Sequence, residues 1–323
     1  MSPLKQLRSK SKLSPLFRAR DWFMDKTGLF ALKKRIKRNL FLKRLEREDK
    51  EKKNEIRRRI SALPDGLIPS SISPEDFVIS LTSYGKRVED TLPFALFSLL
   101  KQTITPRKIA VYLAEDEWND EKLPPILKKL KHVGVEFNYG PDLRSYKKLI
   151  PALMQYPDNP IITVDDDFYY NSRFIEYMRD AYLKSDKKTV LGIWGCVPEK
   201  KGGKYLPYNQ WKECKDGDGY NPISFFGGYG TCYPPHLFDQ EILNSKVFLS
   251  LCPKADDIWF WAMEERQGVA RQYVANLRLG SHVSINRVFD YKVGEDNCLT
   301  LSNVLNGENE IQFRKVLDYY GLD

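Results

Sequence analysis

Ile161-Ile162-Thr163-Val164-Asp165-Asp166-Asp167 lies at the centre of a 323-residue chain. Four apolar or β-branched residues predict a buried strand over 161–164. Three carboxylates follow it without a spacer. Three anions within a few ångströms repel, and each raises the pKa of the others. Protonation or a bound cation relieves them. Oxygen donors select hard ions such as Mg²⁺ or Mn²⁺, and Mg²⁺ takes one or two carboxylates and completes its shell with phosphates and water. The run therefore predicts a site for a metal-bound diphosphate. The bland alternative is that Asp165 or Asp166 caps a helix near Asn171 and Ser172. It accounts for one aspartate of the three.

Working outward, strands are predicted at 77–81 (FVISL), 109–113 (IAVYL) and 133–137, with helices at 88–102, 123–131 and 145–154 between them. The last helix bends or restarts at Pro151. Strand and helix alternate four times at short spacing, which predicts a mostly parallel sheet with helices on both faces. Ligands bind such sheets beyond the carboxyl ends of the strands. The 82–87 loop (TSYGKR) and the three aspartates both fall there. Farther on, 174–183 reads as a helix, 189–194 as a strand and 200–220 as a polar Gly-rich loop. Residues 225–230 (FFGGYG) form a tight backbone passage. A helix over 255–265 opens with Asp256-Asp257, where a carboxylate is either an N-cap or a general base.

The net charge of +9 is unevenly spread. Residues 1–60 hold 21 basic and 7 acidic side chains, and the remainder holds 31 and 36. Leu29, Leu32, Ile36, Leu40 and Leu45 recur between lysines and arginines, which predicts a basic amphipathic helix. Trp22, Phe23, Phe30 and Phe41 are available to enter a lipid interface, so an anionic membrane surface is the expected partner. No nucleic-acid module accompanies the basic run, and no nucleic-acid partner is expected. The expected domains are a basic helical extension (1–62), a linker (63–74) and an α/β domain (75–323) divided near residue 170. No run reaches the eighteen apolar residues of a membrane span, and no secretory signal is expected. Five cysteines without a C-x-x-C pair indicate neither a zinc knuckle nor a disulfide framework. A reducing compartment fits them.

FVISLTSYGKRV, SLLKQT, SYKKLIPAL, IITVDDDFYY, FFGGYGTCYPP and CPKADDIWFW, taken in this order over 75–282, resemble the nucleotide-sugar glycosyltransferases of the GT-A fold. More narrowly, they resemble the bacterial group that builds capsule, lipopolysaccharide and other surface glycans. The resemblance implies a Rossmann-like sheet, a nucleotide-sugar donor (a UDP-sugar by default) and a glycan or lipid-linked acceptor. It also implies a Mn²⁺ or Mg²⁺ cofactor and a cytoplasmic enzyme on the inner face of the plasma membrane. Asp165 and Asp167 become the outer members of a D-x-D motif and metal ligands, with His282 as a third ligand or diphosphate contact. Asp166 joins the nucleotide-binding set without a role of its own. Thr82, Ser83, Tyr84 and Arg87 lie where the family binds the nucleotide. Asp142 is assigned to the base, Lys147 or Lys148 to a phosphate, and Gly227, Gly228 and Gly230 to the donor sugar. Trp259 and Tyr229 are assigned to a sugar platform. The inverting base is Asp257, ahead of Asp256.

Two rivals follow from the same residues. A nucleotidyltransferase making an activated sugar usually carries a Gly-rich basic loop after its first strand, and TSYGKR has one glycine. A non-catalytic membrane-associated glycan-binding adaptor has no need of two acidic clusters. The basic helix is also a candidate for self-assembly into a homo-oligomer.

Overall fold

The computed structural model describes residues 29–69, 71–73, 75–214, 223–274, 282–287 and 307–322. Trp22, Phe23, the side chain of Phe30, residues 215–220 of the Gly-rich loop and Cys298 lie outside them. The chain divides into two compact units, Met1–Lys52 and Lys53–Asp323.

The described part of the first unit belongs to helix α1 (Leu29–Ser61). Leu32, Ile36, Leu40 and Phe41 are exposed there among lysines and arginines. Arg44–Glu48 and Arg47–Glu51 are helical i,i+4 ion pairs at 2.8 and 3.9 Å.

The second unit begins earlier than the sequence predicts. Ile56 and Ile60, from the last turns of α1, enter its core together with Leu63 and Ile68. The segment expected to be a linker is packed. The Gly66 and Ile68 amides donate to the His132 and Val133 carbonyls at 2.8 and 2.9 Å. Apolar residues every three to five positions bind this stretch to the domain and override its turn-like composition.

The elements that follow are β1 (Val78–Thr82), α2 (Arg87–Asp90), α3 (Leu92–Leu100), β2 (Lys108–Ala114), α4 (Pro125–Val133), β3 (Glu136–Gly140), α5 (Ile150–Gln155), β4 (Ile161–Thr163), β5 (Phe168–Tyr169), α6 (Phe174–Lys184) and β6 (Val190–Gly192). Next come β7 (Gly195–Val197), β8 (Lys200–Lys201), β9 (Lys204–Tyr205), β10 (Lys212–Glu213), β11 (Ser224–Phe225) and β12 (Thr231–Tyr233). The order closes with α7 (Ser245–Leu251), α8 (Asp256–Arg266), β13 (Arg271–Tyr273), β14 (Val283–Ser284) and α9 (Glu308–Tyr320). The predicted helix over 88–102 is split at Thr91, because Pro93 in the first turn of α3 has no amide to continue α2. The third strand starts three residues later than expected. Gly134, at φ 113°, ends α4 in a left-handed cap that a Cβ would drive into the Ile68 backbone. The Gly-rich loop is not wholly irregular, since β8 pairs with β9 and β10 pairs with β7.

Seven strands form the central sheet in the order β13-β6-β12-β4-β1-β2-β3. All neighbours are parallel except β12, which runs antiparallel to both β4 and β6. This is a mixed, mostly parallel, Rossmann-like α/β sheet flanked by helices. Strand alternation divides the core. Ile79, Leu81, Ile109, Val111 and Ile162 face α3, α4 and α6, while Val78, Ala110, Tyr112 and Ile161 face α5, α7, α8 and α9. Helix α9, which sequence reading missed, seals the second face with Phe313, Val316 and Leu317. Each such buried side chain contributes about 2 kcal/mol.

The topology assembles the site. β1 and β4 are parallel neighbours, so the segments that leave them, 83–87 and 165–167, lie side by side. β12 runs the opposite way, so the turn that enters it, 227–230, lies at that same end.

Candidate active site

Asp165, Asp166 and Asp167 do not face alike. The Asp166 side chain is 4% exposed, against 34% and 31% for Asp165 and Asp167. Asp166 is held from the β1 side. The Ser83 hydroxyl donates to its Oδ2, and the Arg87 guanidinium donates to both its oxygens. Arg87 Nη2 also lies 2.8 Å from Asp167 Oδ2. Burial alone would lower the Arg87 pKa, but Asp166 and Asp167 outweigh it and raise it. Burial pushes Asp167 up to about 7; Arg87 opposes the shift, and Asp165 and Asp166 add to it. Asp167 Oδ1 is buried without a hydrogen-bond partner among the described residues.

Asp165 meets the glycine turn. Its amide bonds to the Gly228 carbonyl and to the Tyr170 hydroxyl, at 2.8 and 2.7 Å, and that hydroxyl donates onward to the Gly228 carbonyl. A Cβ on Gly228 would overlap the Asp165 carboxylate, so only glycine fits this approach. The Thr163 hydroxyl donates to the Gly227 carbonyl at 2.7 Å. The Gly227 amide donates to Asp257 Oδ1 at 2.8 Å. The three sequence-distant motifs 165–167, 227–228 and 256–257 thus share one place.

Asp256 and Asp257 occupy the first turn of α8, where carboxylates complement the helix dipole. Neither side chain caps the helix. Asp256 is buried and Asp257 half-buried. Burial, reinforced by Asp256, pushes Asp257 up to about 7 against Lys148 and the Gly227 amide. Lys148 Nζ donates to Asp165 Oδ1 at 3.0 Å and lies 3.5 Å from Asp256 Oδ2.

The remaining predicted residues separate. The adjacent Lys147 turns to Asp142, which also accepts the Arg144 amide at 2.9 Å. The two lysines belong to a 3₁₀ turn, Arg144–Lys148, whose successive residues point about a third of a turn apart. Thr82 turns its hydroxyl to the Tyr112 carbonyl at 2.7 Å, within the sheet. Tyr84 is exposed, with the Arg87 guanidinium 5.5 Å from its ring centroid. His282 accepts the Asn171 amide on Nδ1 at 3.2 Å and is wedged edge-on against Tyr170 and Phe174. Among the described residues no three His, Cys, Asp or Glu side chains gather as a metal set. Two partly open carboxylates, one with an unpartnered oxygen, still fit Mg²⁺ or Mn²⁺, which needs no more from a protein. Trp259 is no sugar platform. It is fully buried, and its indole donates to the Ile242 carbonyl at 3.1 Å. Tyr229 packs against Trp194 and Phe168, at centroid distances of 4.0 and 4.6 Å.

Sequence reading passed over Tyr170 and Trp194 and left Lys148 undistinguished from Lys147. Tyr170 follows the acidic run within FYY, where an aromatic reads as ordinary core. Separating the two lysines needs the turn geometry.

No protein-family model matches the chain, and no curated protein sequence matches it. Solved structures resemble it at low identity. Staphylococcus aureus TarS 1–349 in complex with UDP aligns with a TM-score of 0.41 and 14% identity, covering 74% of this chain and 70% of that one. A cytidylyltransferase from Leptospira borgpetersenii aligns with a TM-score of 0.41 and 15% identity over 75% and 98% of the two chains. Mycobacterium tuberculosis glucosyl-3-phosphoglycerate synthase, in complex with Mn²⁺, UDP and phosphoglyceric acid, aligns with a TM-score of 0.29 and 12% identity over 36% and 42%. At these scores the likenesses decide nothing about the chemistry.

Proposed function

We propose that the chain is a metal-assisted glycosyltransferase that moves a sugar from a nucleoside-diphosphate sugar, a UDP-sugar by default, to a hydroxyl of a surface-glycan or lipid-linked acceptor. One observation carries this reading: the acidic run, the glycine turn and the acidic start of α8 meet, with the Gly227 amide on Asp257. Asp165 and Asp167 would hold the divalent ion. When bound, it offsets charge developing on the leaving diphosphate. Gly227 and Gly228 let the backbone close on Asp257 and Asp165, which holds the proposed base and metal ligand together. Exposed Tyr84 is available to the base. Asp257 accepts the proton of the acceptor hydroxyl as that oxygen attacks the anomeric carbon, so the centre inverts. Ser83 and Arg87 are committed to Asp166, which weighs against a phosphate loop of the nucleotidyltransferase kind.

The test is a panel of nucleotide-sugars with Mn²⁺ or Mg²⁺, read as released nucleoside diphosphate. Release that Asp167→Ala abolishes is expected. Pyrophosphate from a nucleoside triphosphate, with no release from any nucleotide-sugar, overturns the reading.

The basic stretch of α1 supports an anionic membrane surface as a second partner, since exposed Leu32, Ile36 and Leu40 lie among its cations. No helix among the described residues is long and apolar enough to cross a membrane. Sedimentation with phosphatidylserine vesicles, lost in 0.5 M salt at roughly a 4 Å screening length, is the expected result. Equal binding to neutral vesicles contradicts it.

A further inference from the structure

The geometry points to Lys148 as a positioning residue of the proposed transfer, a single buried ammonium that ties the donor-side carboxylate Asp165 to the acceptor-side pair Asp256–Asp257. The inference rests on the reading of Asp257 as the base. Its observations are independent of that reading.

Lys148 comes from a third element, the 3₁₀ turn between β3 and α5, and belongs to neither cluster it joins. Its side chain is 8% exposed, and its Nζ reaches Asp165 at 3.0 Å and Asp256 at 3.5 Å. Its backbone is fixed as well. The Ser80 hydroxyl of β1 donates to the Lys148 carbonyl at 2.6 Å, and the flanking Tyr146 and Leu149 are fully buried. A lysine held at both ends sets a distance.

The need for this cation follows from the charges around Asp257. Asp256 lies beside it on α8, and Asp165 faces it from the end of β4. Tyr146, Tyr208, Tyr233, Cys196 and Glu264 also feel its charge. Lys148 is the cation that opposes the shift at Asp257. Without it, three carboxylates converge with less reason to stay together, and the ionised form of Asp257 loses its favourable neighbour. Lys148 therefore holds the donor and acceptor sides at one separation and helps keep the base ready. Lys147, one residue away and engaged with Asp142, has neither effect.

The test compares the full-length protein with Lys148→Arg, Lys148→Met and the double variant Lys148→Met/Asp256→Asn, each checked for folding by circular dichroism and melting. Two readouts are taken. One is the pH dependence of nucleoside diphosphate release from a nucleotide-sugar. The other is the carboxyl titration of Asp257 in metal-free protein by ¹³C NMR, assigned by its loss in Asp257→Asn. Lys148→Met is expected to raise the Asp257 midpoint by about one unit, a tenfold change in ionisation. It is also expected to lose about fivefold in turnover near pH 7, approaching tenfold at lower pH, and to recover as pH rises. Lys148→Arg keeps the wild-type midpoint. In the double variant one carboxylate is removed with the cation, so the midpoint returns toward wild type while turnover stays low. A folded Lys148→Met with an unmoved midpoint, or a double variant with wild-type turnover, overturns the inference. If the NMR midpoint moves but turnover has no acid limb in the wild type, the Asp257 base reading fails and the Lys148 link stands.

Discussion

At the N-terminal end of α8, Asp256 and Asp257 face Lys148. At its C-terminal end, Glu264 and Glu265 face Arg271, about 12 Å farther along the axis. Each end pairs two acids with one buried cation, and their surroundings separate them. Arg271 and Glu264 are both 4% exposed, and Arg271 bridges Glu264 to the 24% exposed Glu265, with Arg271 and Glu265 lining a cavity of about 630 Å³. The Lys148 end stays half open. It adjoins a third acidic segment, 165–167, and the glycine turn, whose Gly227 amide donates to Asp257. The helix dipole favours acids at the first end and disfavours them at the second. A buried acidic pair is therefore not in itself a site. What distinguishes the Lys148 end is its junction with a second acidic segment and with the glycine turn.

Substitutions at the two ends break or sharpen this contrast. The largest effect is expected at Asp257→Asn, with a loss of about 10²- to 10⁴-fold in turnover and donor binding kept within a few-fold. Nucleotide release, set against calorimetric binding of a nucleoside diphosphate with Mn²⁺, measures both. Equal losses in the two would move Asp257 to the structural side of the comparison. Next is Arg271→Met, which strands two carboxylates. It should cost about 3–5 kcal/mol in denaturant unfolding and leave turnover per folded molecule unchanged. Gly228→Ala forces a methyl against Asp165. The expected cost is about 1–3 kcal/mol, with turnover falling more than that loss of folded protein explains.

The smallest effect concerns pH. Burial pushes Glu264 up to about 8 against Arg271. The folded state thus binds more protons at Glu264 than the unfolded chain between about pH 4.5 and 8, and this contribution makes stability fall as pH rises through that window. Glu264→Gln should flatten that part of the melting-temperature profile without altering the turnover profile. Asp257, pushed up to about 7, should instead give turnover an acid limb that disappears in Asp257→Asn.

The parallel half was legible because its strands are short β-branched runs set between amphipathic helices, with FVISL, IAVYL and IITV each within a residue or two of an observed strand. The later half was legible in part: the helices expected at 174–183 and 255–265 and the strand at 189–194 match α6, α8 and β6 within two residues, while other elements were not. β12 and β13 are three-residue strands whose membership of the sheet depends on tertiary pairing, and α9 follows a long stretch without a clear pattern. Segments 63–69 misled because turn residues dominate their composition while two apolar side chains decide their burial. At the site, charge and glycine patterns marked the three segments that meet. The sequence reading counted a proton or a metal as the relief for three aspartates and did not weigh the cations within the chain. Arg87 is 79 positions from Asp166, and Lys148 is 17 from Asp165. No local pattern links partners that far apart. The histidine was drawn to the site by its position in the chain, whereas its Nδ1 serves the Asn171 amide.

The most direct measurement is a crystal structure of the full-length protein with Mn²⁺ and a nucleoside diphosphate. The account predicts metal–oxygen distances of about 2 Å to Asp165 or Asp167, the diphosphate completing the shell, and Asp257 facing the open side beyond the terminal phosphate. A diphosphate bound elsewhere, with both carboxylates still closed on Lys148 and Arg87 and no ion between them, would contradict it.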